Sequence, residues 1–236
     1  LAARRQSVML AHLEAGLRSY DLTMPEEMNR VLIDSIADIL LAPSAAAAQN
    51  LMYHEGATHG RVHFVGNIMI DALSMVLNDR DADAVLARFG VKAGEFAVAT
   101  FHRPANVDDC ERLDEVRKLV EHIAERLPVV FPVHPRTLER LKSLPGGELL
   151  FDNPRILTAP PLPYGEFANL VSRARAVVTD SGGIQEETSW LAVPCFTVRD
   201  NTERPITITH GANTLVDFTD VRPQLKAVLD GAFEIR

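Results

Sequence analysis

The octapeptide Asp180-Ser181-Gly182-Gly183-Ile184-Gln185-Glu186-Glu187 places two kinds of chemistry side by side. The apolar run Ala176-Val177-Val178 leads into it and a helix-like segment follows. Adjacent glycines between a strand and a helix let a guest approach the backbone closely. Phosphate is the common guest, because free N–H groups and the positive dipole end meet at a helix N-terminus. The two carboxylates that follow sit oddly beside a phosphate. A tight turn followed by acidic residues that favour the helix dipole would account for the same letters. Other reactive side chains also stand just after apolar runs: His102 and Arg103, His134, Arg199 and Arg204, and His12, Glu14 and Arg18. Histidines and carboxylates in such places could move protons, and arginines could hold an anion. Each taken singly also reads as an ordinary solvated strand-end residue. The run Thr23-Met24-Pro25-Glu26 reads as a capping box with proline in the first helical turn, and Glu26 with Arg30 as an i,i+4 pair.

The elements that must position these groups alternate. Strands are predicted over 8–11, 39–42, 62–65, 96–100, 129–133, 155–158, 176–179, 195–198 and 214–216. Helices are predicted over 25–38, 45–55, 68–77, 109–126, 136–144, 164–172, 184–191 and 222–229. Short buried strands separated by helices predict parallel α/β sheets. In such sheets ligands bind beyond the carboxyl ends of the strands, which is where the histidines and arginines fall. The charged, glycine-punctuated stretch 78–94 is expected to connect two domains, 1–77 and 95–236. The second has enough strand–helix units for a complete doubly wound domain. The first has about three strands, fewer than usual for that type.

The 236 residues are 47% hydrophobic and 24% charged, a globular composition. A formal net charge of −8 without a basic run argues against nucleic acid or an anionic membrane surface as partner. Cys110 and Cys195 lie outside any metal-type spacing and read as reduced thiols of a cytoplasmic protein. No apolar stretch reaches the length of a membrane span, and no signal peptide is visible. Because the first residue is Leu and the opening resembles the tail of a helix, the sequence is expected to start within a domain.

The segments HLEAGLRS (12–19), MPEEMNR (24–30), VGNIMIDAL (65–73), TFHRPANVDD (100–109), PVHPR (132–136), TDSGGIQEE (179–187) and NTERP (201–205) occur in an order that resembles the non-hydrolysing UDP-N-acetylglucosamine 2-epimerases from end to end. The resemblance implies two Rossmann-like domains in a glycosyltransferase-B arrangement, the first incomplete here, with the site in the cleft between them. It implies that Ser181, Gly182 and Gly183 hold the phosphates of a UDP-sugar. Glu187 would take the ribose hydroxyls, Phe167 would lie against uracil, and Arg204 would approach the diphosphate. The opening conflict becomes a division of labour, since a carboxylate is a pure acceptor and suits a diol about one helical turn beyond the phosphates. The implied reaction inverts C2 of the sugar by eliminating UDP to a glycal and adding it back. Glu14 and Glu26 match acid/base positions and His102 a histidine beside the leaving group. Arg30 matches an arginine of the cleft wall. Arg103 and His134 match positions tied to phosphate contacts or to a second, activating substrate molecule. No metal or cofactor is implied, and a homodimer is expected.

The sequence also departs from the family. A Gly-Thr-Arg-Pro-Glu motif and a His-Gly-Asp motif, which carries a third catalytic carboxylate, normally precede HLEAGLRS and are not found. The usual C-terminal helix is not found after Arg236. The chain is therefore expected to be truncated at both ends and inactive on its own. Ala192 stands where many members have glycine, and His210-Gly211 lies in a segment that usually differs. Two other functions fit many of the same residues. A glycosyltransferase of this architecture would keep Glu187 and the Gly-Gly turn without needing Glu14, Glu26 and His102 together. A nucleotide-binding remnant would bind UDP without turnover.

Overall fold

The computed structural model describes residues 2–233 and 235. The chain divides into two compact units, Leu1–Ala72 with Asn201–Arg204, and Leu73–Asp200 with Pro205–Arg236.

In the first unit, strands β1 (Ala11–Leu13), β2 (Ile39–Ala42) and β3 (Val62–Phe64) form a parallel sheet in that order. The predicted strand 8–11 is shifted to Ala11–Leu13 because pairing begins only where β2 is available, at Ala11 opposite Ile39. Just before it, the Leu10 carbonyl accepts the N–H groups of Asp38 and Ile39, and the Leu10 N–H is taken by the Asp38 carboxylate at 2.9 Å. Val8 and Met9 are left exposed. An apolar run does not say where its partner strand starts. The small core is built from Ala15, Leu17, Leu40, Ala42, Ala47 and Leu51, among others. Gly16 is required there twice over. Its φ is +81°, and a Cβ would stand 2.2 Å from the Ala47 carbonyl oxygen.

The helix Pro25–Ile36 starts with proline in its first turn but without the expected capping box. The Thr23 hydroxyl donates instead to Asp21, at 2.6 Å, and Met24 occupies the cap position. Nor do Glu26 and Arg30 pair. The Arg30 guanidinium lies 3.6 Å from both Glu27 and Glu203. The predicted helix 45–55 is α-helical only over Ala45–Gln49, capped by Ser44, and continues as a π-turn through Asn50–His54. There the Asn50 side chain donates to the Gly16 carbonyl at 2.8 Å and accepts the Tyr20 hydroxyl.

The second unit carries a six-stranded parallel sheet. Its strands are β4 (Ala97–Thr100), β5 (Val129–Pro132), β6 (Ile156–Ala159), β7 (Ala176–Thr179), β8 (Cys195–Val198) and β9 (Asn213–Val216), in the order β6-β5-β4-β7-β8-β9. The direction of strand addition reverses between β4 and β7, which makes their carboxyl ends the topological switch point. All strand residues of β5, β7 and β8 are buried, as expected of a sheet covered on both faces. Alternate residues feed two cores. Ala97, Phe131, Val178 and Phe196 face one, and Val98, Val130, Val177 and Cys195 the other. Fully burying a side chain such as Phe131 or Phe196 contributes roughly 1.5–3 kcal/mol.

The stretch 78–94, read as a connection, contains the helix Asp79–Phe89. Asn78 caps it by accepting the Asp81 N–H at 2.8 Å, and Gly90 ends it in the left-handed region at φ +66°. Ala82, Val85 and Leu86 form an apolar stripe that packs on the helix Tyr164–Val171. Five charged residues between Asp79 and Arg88 mask that stripe in the sequence. Asn169 ties the arrangement down, accepting the Asn78 N–H and donating to the Val76 carbonyl.

Candidate active site

At the switch point, two loops leave adjacent strands whose last residues, Thr100 and Thr179, are in register. The loop after β4 presents His102 and Arg103, and the loop after β7 presents Asp180 and Ser181. They are joined by Asp180, which is fully buried. Its carboxylate accepts the backbone N–H of His102 at 3.1 Å and of Arg103 at 3.0 Å. It also accepts the Asn106 amide at 3.1 Å and stands 3.0 Å from His102 Nδ1. The Asp180 carbonyl accepts Arg103 Nε at 2.9 Å. Burial would push the Asp180 carboxyl up, but hydrogen bonds from the His102 ring, the Arg103 N–H and Asn106 outweigh it and hold it below its ordinary value. Asp180 was not singled out in the sequence. Its signal was its place, a carboxylate closing the buried strand Ala176–Thr179.

The helix Gly182–Leu191 begins directly after this clasp. Ser181 occupies its cap position with no side-chain capping bond, so the leading N–H groups of Gly182 and Gly183 start the helix. A Cβ on Gly183 would meet nothing within 4 Å, so that face of the first turn is uncrowded. Its second turn carries Glu187, which is buried and accepts the Tyr164 hydroxyl at 3.0 Å. Burial raises the Glu187 carboxyl above its ordinary value, although the Tyr164 hydrogen bond works the other way. Burial and the neighbouring carboxylate push the Tyr164 phenol up to about 12. Tyr164 is a second residue that sequence reasoning missed, because nothing in PLPYGEF says that the hydroxyl reaches a helix 23 positions on.

Beside these groups lies a cavity of about 300 Å³ lined by Phe101, His102, Pro132, His134, Phe167 and Ser181, among others. Phe167 also packs against the second core, so its ring serves both the helix and the cavity wall. His134 caps the helix Pro135–Ser143, its Nδ1 accepting the Arg136 N–H at 3.3 Å.

The first unit holds the remaining predicted residues. Glu14, at the end of β1, adopts φ +63°, a left-handed conformation rare for glutamate. Its carboxylate lies 3.8 Å from the Arg204 guanidinium, which in turn donates to the buried Glu203 at 2.6 Å. The consecutive carboxylates of the helix Pro25–Ile36 are divided. Glu27 is buried and accepts the N–H groups of Ser19 and Tyr20, at 2.9 and 3.0 Å. Glu26 is exposed, and among the described residues its side chain makes no hydrogen bond or ion pair. The HLEAGLRS loop rests on Asp34, which the sequence did not point out. Asp34 is buried and accepts the Gly16 N–H at 3.0 Å, Arg18 Nη2 at 2.5 Å and His12 Nδ1 at 2.5 Å. Arg18 Nε reaches Glu55 at 2.6 Å. Burial pushes the Asp34 carboxyl up, but the His12 and Arg18 hydrogen bonds hold it below its ordinary value. Its signal was a carboxylate inside Val31-Leu32-Ile33-Asp34-Ser35-Ile36.

Ser181, Gly182, Gly183, Glu187, His102, Arg103, His134 and Phe167 thus gather around the switch point of the second unit. Glu14, Arg30 and Arg204 gather around Glu203 in the first, with Glu26 on the same helix as Arg30. Among the described residues no cluster of three histidine, cysteine or carboxylate side chains could hold a metal ion. No helix among them is long and apolar enough to cross a membrane.

The family model described as UDP-N-acetylglucosamine 2-epimerase matches residues 1–232. The chain is 42% identical over 224 residues to the UDP-N-acetylglucosamine 2-epimerase of Methanocaldococcus jannaschii, covering 92% of this chain and 60% of that protein. It is 38% identical over 220 residues to the UDP-2,3-diacetamido-2,3-dideoxy-D-glucuronate 2-epimerase of Pseudomonas aeruginosa, covering 92% of this chain and 59% of that one. Its fold matches the M. jannaschii UDP-GlcNAc 2-epimerase structure in complex with UDP-GlcNAc and UDP, with a TM-score of 0.85 and 39% identity over 99% of this chain and 66% of the other. The wall teichoic acid polymerase TagF, at 12% identity and a TM-score of 0.55, shares the fold alone. The chain spans about 60% of the length of the curated relatives it matches. By motifs, fold and matched length, it belongs to the UDP-N-acetylglucosamine 2-epimerase family.

Proposed function

We propose that this protein interconverts UDP-N-acetylglucosamine and UDP-N-acetylmannosamine by C2 epimerisation, supplying precursors of cell-surface polysaccharide. One observation carries the reading. At the switch point of the second unit, a helix N-terminus at Gly182-Gly183, a buried carboxylate at Glu187 and an aromatic-walled cavity at Phe167 occur together. These three features suit the diphosphate, the ribose diol and the flat base of a uridine nucleotide. Arg204 matches the family arginine that approaches the diphosphate.

The C2 proton of the sugar is not acidic, so direct deprotonation and return is implausible. A base removes it as the C1–O bond breaks, and UDP leaves with the bonding pair to give a glycal. Return of a proton to the opposite face of C2, with UDP adding back at C1, completes the inversion. Glu14 and Glu26 are the acid/base candidates. The strained backbone at Glu14 and the assignment of Glu27, rather than Glu26, to holding the loop both favour this choice. His102 stands beside the leaving group, Arg103 and His134 attend the phosphates or a second, activating substrate molecule, and Arg30 matches the family's cleft-wall arginine. A cytoplasmic homodimer belongs to the same proposal. Because the chain spans about 60% of its relatives, turnover is proposed for the whole protein and UDP binding for residues 1–236.

The test is proton exchange. In deuterated water the whole protein should incorporate deuterium at C2 of UDP-N-acetylglucosamine while forming the manno epimer, followed by NMR. Transfer of the sugar to an acceptor without C2 exchange would favour a glycosyltransferase instead.

A further inference from the structure

We infer that Asp180 is a positioning residue of the switch-point site, acting through His102 and Arg103 to prepare them for the diphosphate of a nucleoside diphosphate. The inference rests on the nucleotide reading above and names the residue that organises its cationic half.

An ionised carboxylate offers about four acceptor positions. The Asp180 carboxylate uses them on the His102 and Arg103 backbone N–H groups, the Asn106 amide and the His102 ring, all from the segment that follows β4. Burying a carboxylate costs several kcal/mol before such bonds offset it. Apolar side chains could join the two loops without that cost. An apolar residue could not choose between the ring nitrogens of His102. With Nδ1 at 3.0 Å from Asp180, the neutral ring carries its proton there, and Nε2 becomes the atom that can meet a ligand. The His102 side chain is 58% exposed while Asp180 is completely buried, so one end of the pair is fixed and the other reaches the cavity it lines. With Nδ1 held by Asp180, any proton that the ring carries on Nε2 is presented to the diphosphate, which accepts it. The Asp180 carbonyl meanwhile holds Arg103 Nε at 2.9 Å and sets the guanidinium plane. The helix start at Gly182 follows directly in sequence. His102 and Arg103 therefore take their geometry from one side chain and its own backbone.

The experiment uses residues 1–236 with ¹⁵N-labelled histidine. In the native chain, above the titration range of the ring, His102 should be the Nδ1–H tautomer. Asp180→Asn should lose that preference. It should also weaken UDP binding about tenfold or more while changing uridine affinity less than about twofold, because only the diphosphate contacts depend on the clasp. A native His102 protonated mainly on Nε2, or equal losses for UDP and uridine, would overturn the inference. If Asp180→Asn does not fold, the native tautomer decides. If the native chain binds neither UDP nor uridine, the nucleotide reading falls, and the tautomer still judges the clasp by itself.

Discussion

Glu187 illustrates how a single residue can be kept at a cost to the fold. Its carboxyl is raised by burial, so the folded state favours the protonated form. A group with a raised folded pKa contributes stability that is fully present below its unfolded pKa and lost as pH rises through the folded value. Glu187→Gln keeps an acceptor for the Tyr164 hydroxyl and removes the titration. The variant should therefore gain thermal stability relative to the native chain as pH rises from acid to neutral, read from melting curves. The same substitution should weaken UDP binding about tenfold by removing a charge-assisted contact to the diol, read by calorimetry. Unchanged UDP affinity would take Glu187 out of the site. In the whole protein, Glu26→Gln should stop C2 proton exchange and leave UDP affinity largely intact. Exchange at the native rate would leave Glu26 as an ordinary helix-start residue.

At the scale of elements, two positions carry separable stability. Ala192 ends the helix Gly182–Leu191 at φ +55°, a conformation that disfavours a Cβ. Ala192→Gly should stabilise the chain by about 0.5–1 kcal/mol, visible as a higher denaturation midpoint with an unchanged slope. Asp34 secures the loop after β1 through its bonds to His12, Gly16 and Arg18. Removing one partner of a buried ion pair typically costs about 3–5 kcal/mol, and Asp34→Asn should fall near the low end because Glu55 still pairs Arg18. A carboxyl held below its ordinary value contributes stability above its unfolded pKa, about 3.9, and loses it as pH falls through the folded one. The gap between native chain and variant should close below about pH 4. A gap that persisted in acid would mean that shape, rather than charge, holds the loop.

Across the whole molecule, the two units differ in how well they bury themselves. The second encloses two cores around six strands, with Phe96, Phe101, Phe131 and Phe196 almost wholly inaccessible. The first rests on three short strands and a core dominated by alanine and leucine, and Leu13, Leu32 and Phe64 stay exposed. Local opening follows buried contact. Amides of β4, β5 and β7 should be the slowest to exchange with deuterated solvent, and those of β1 and β3 should exchange far sooner, as peptide-level mass spectrometry would report. Uniform protection across all these strands would contradict this account of where the stability lies.

The alternation of apolar runs with amphipathic segments was enough to read the α/β class, because period and run length are local properties of the chain. β2, β7 and β8 lie where the sequence puts them, since each is a short apolar run bounded by polar or turn residues. His102, Arg103, His134 and the Gly-Gly turn were legible together because in a parallel sheet the carboxyl ends of strands, wherever they lie in the chain, share one edge. Other features depended on distant partners. Where β1 begins was decided by Ile39, and the helix Asp79–Phe89 emerged from its charges because the helix Tyr164–Val171 covers its apolar stripe. Thr23 gave up its capping role to Asp21, a competition between neighbours that the Thr-x-x-Glu pattern does not record. For Asp34 and Asp180 the chain shows only a carboxylate within or beside an apolar run, and for Tyr164 nothing; none of their partners can be read there. Their meaning lies in hydrogen bonds to residues 16 to 78 positions away, which only the folded backbone brings within reach. The sequence by itself determined which chemistries are present. The tertiary structure decided which carboxylates are spent holding the loops and which are not.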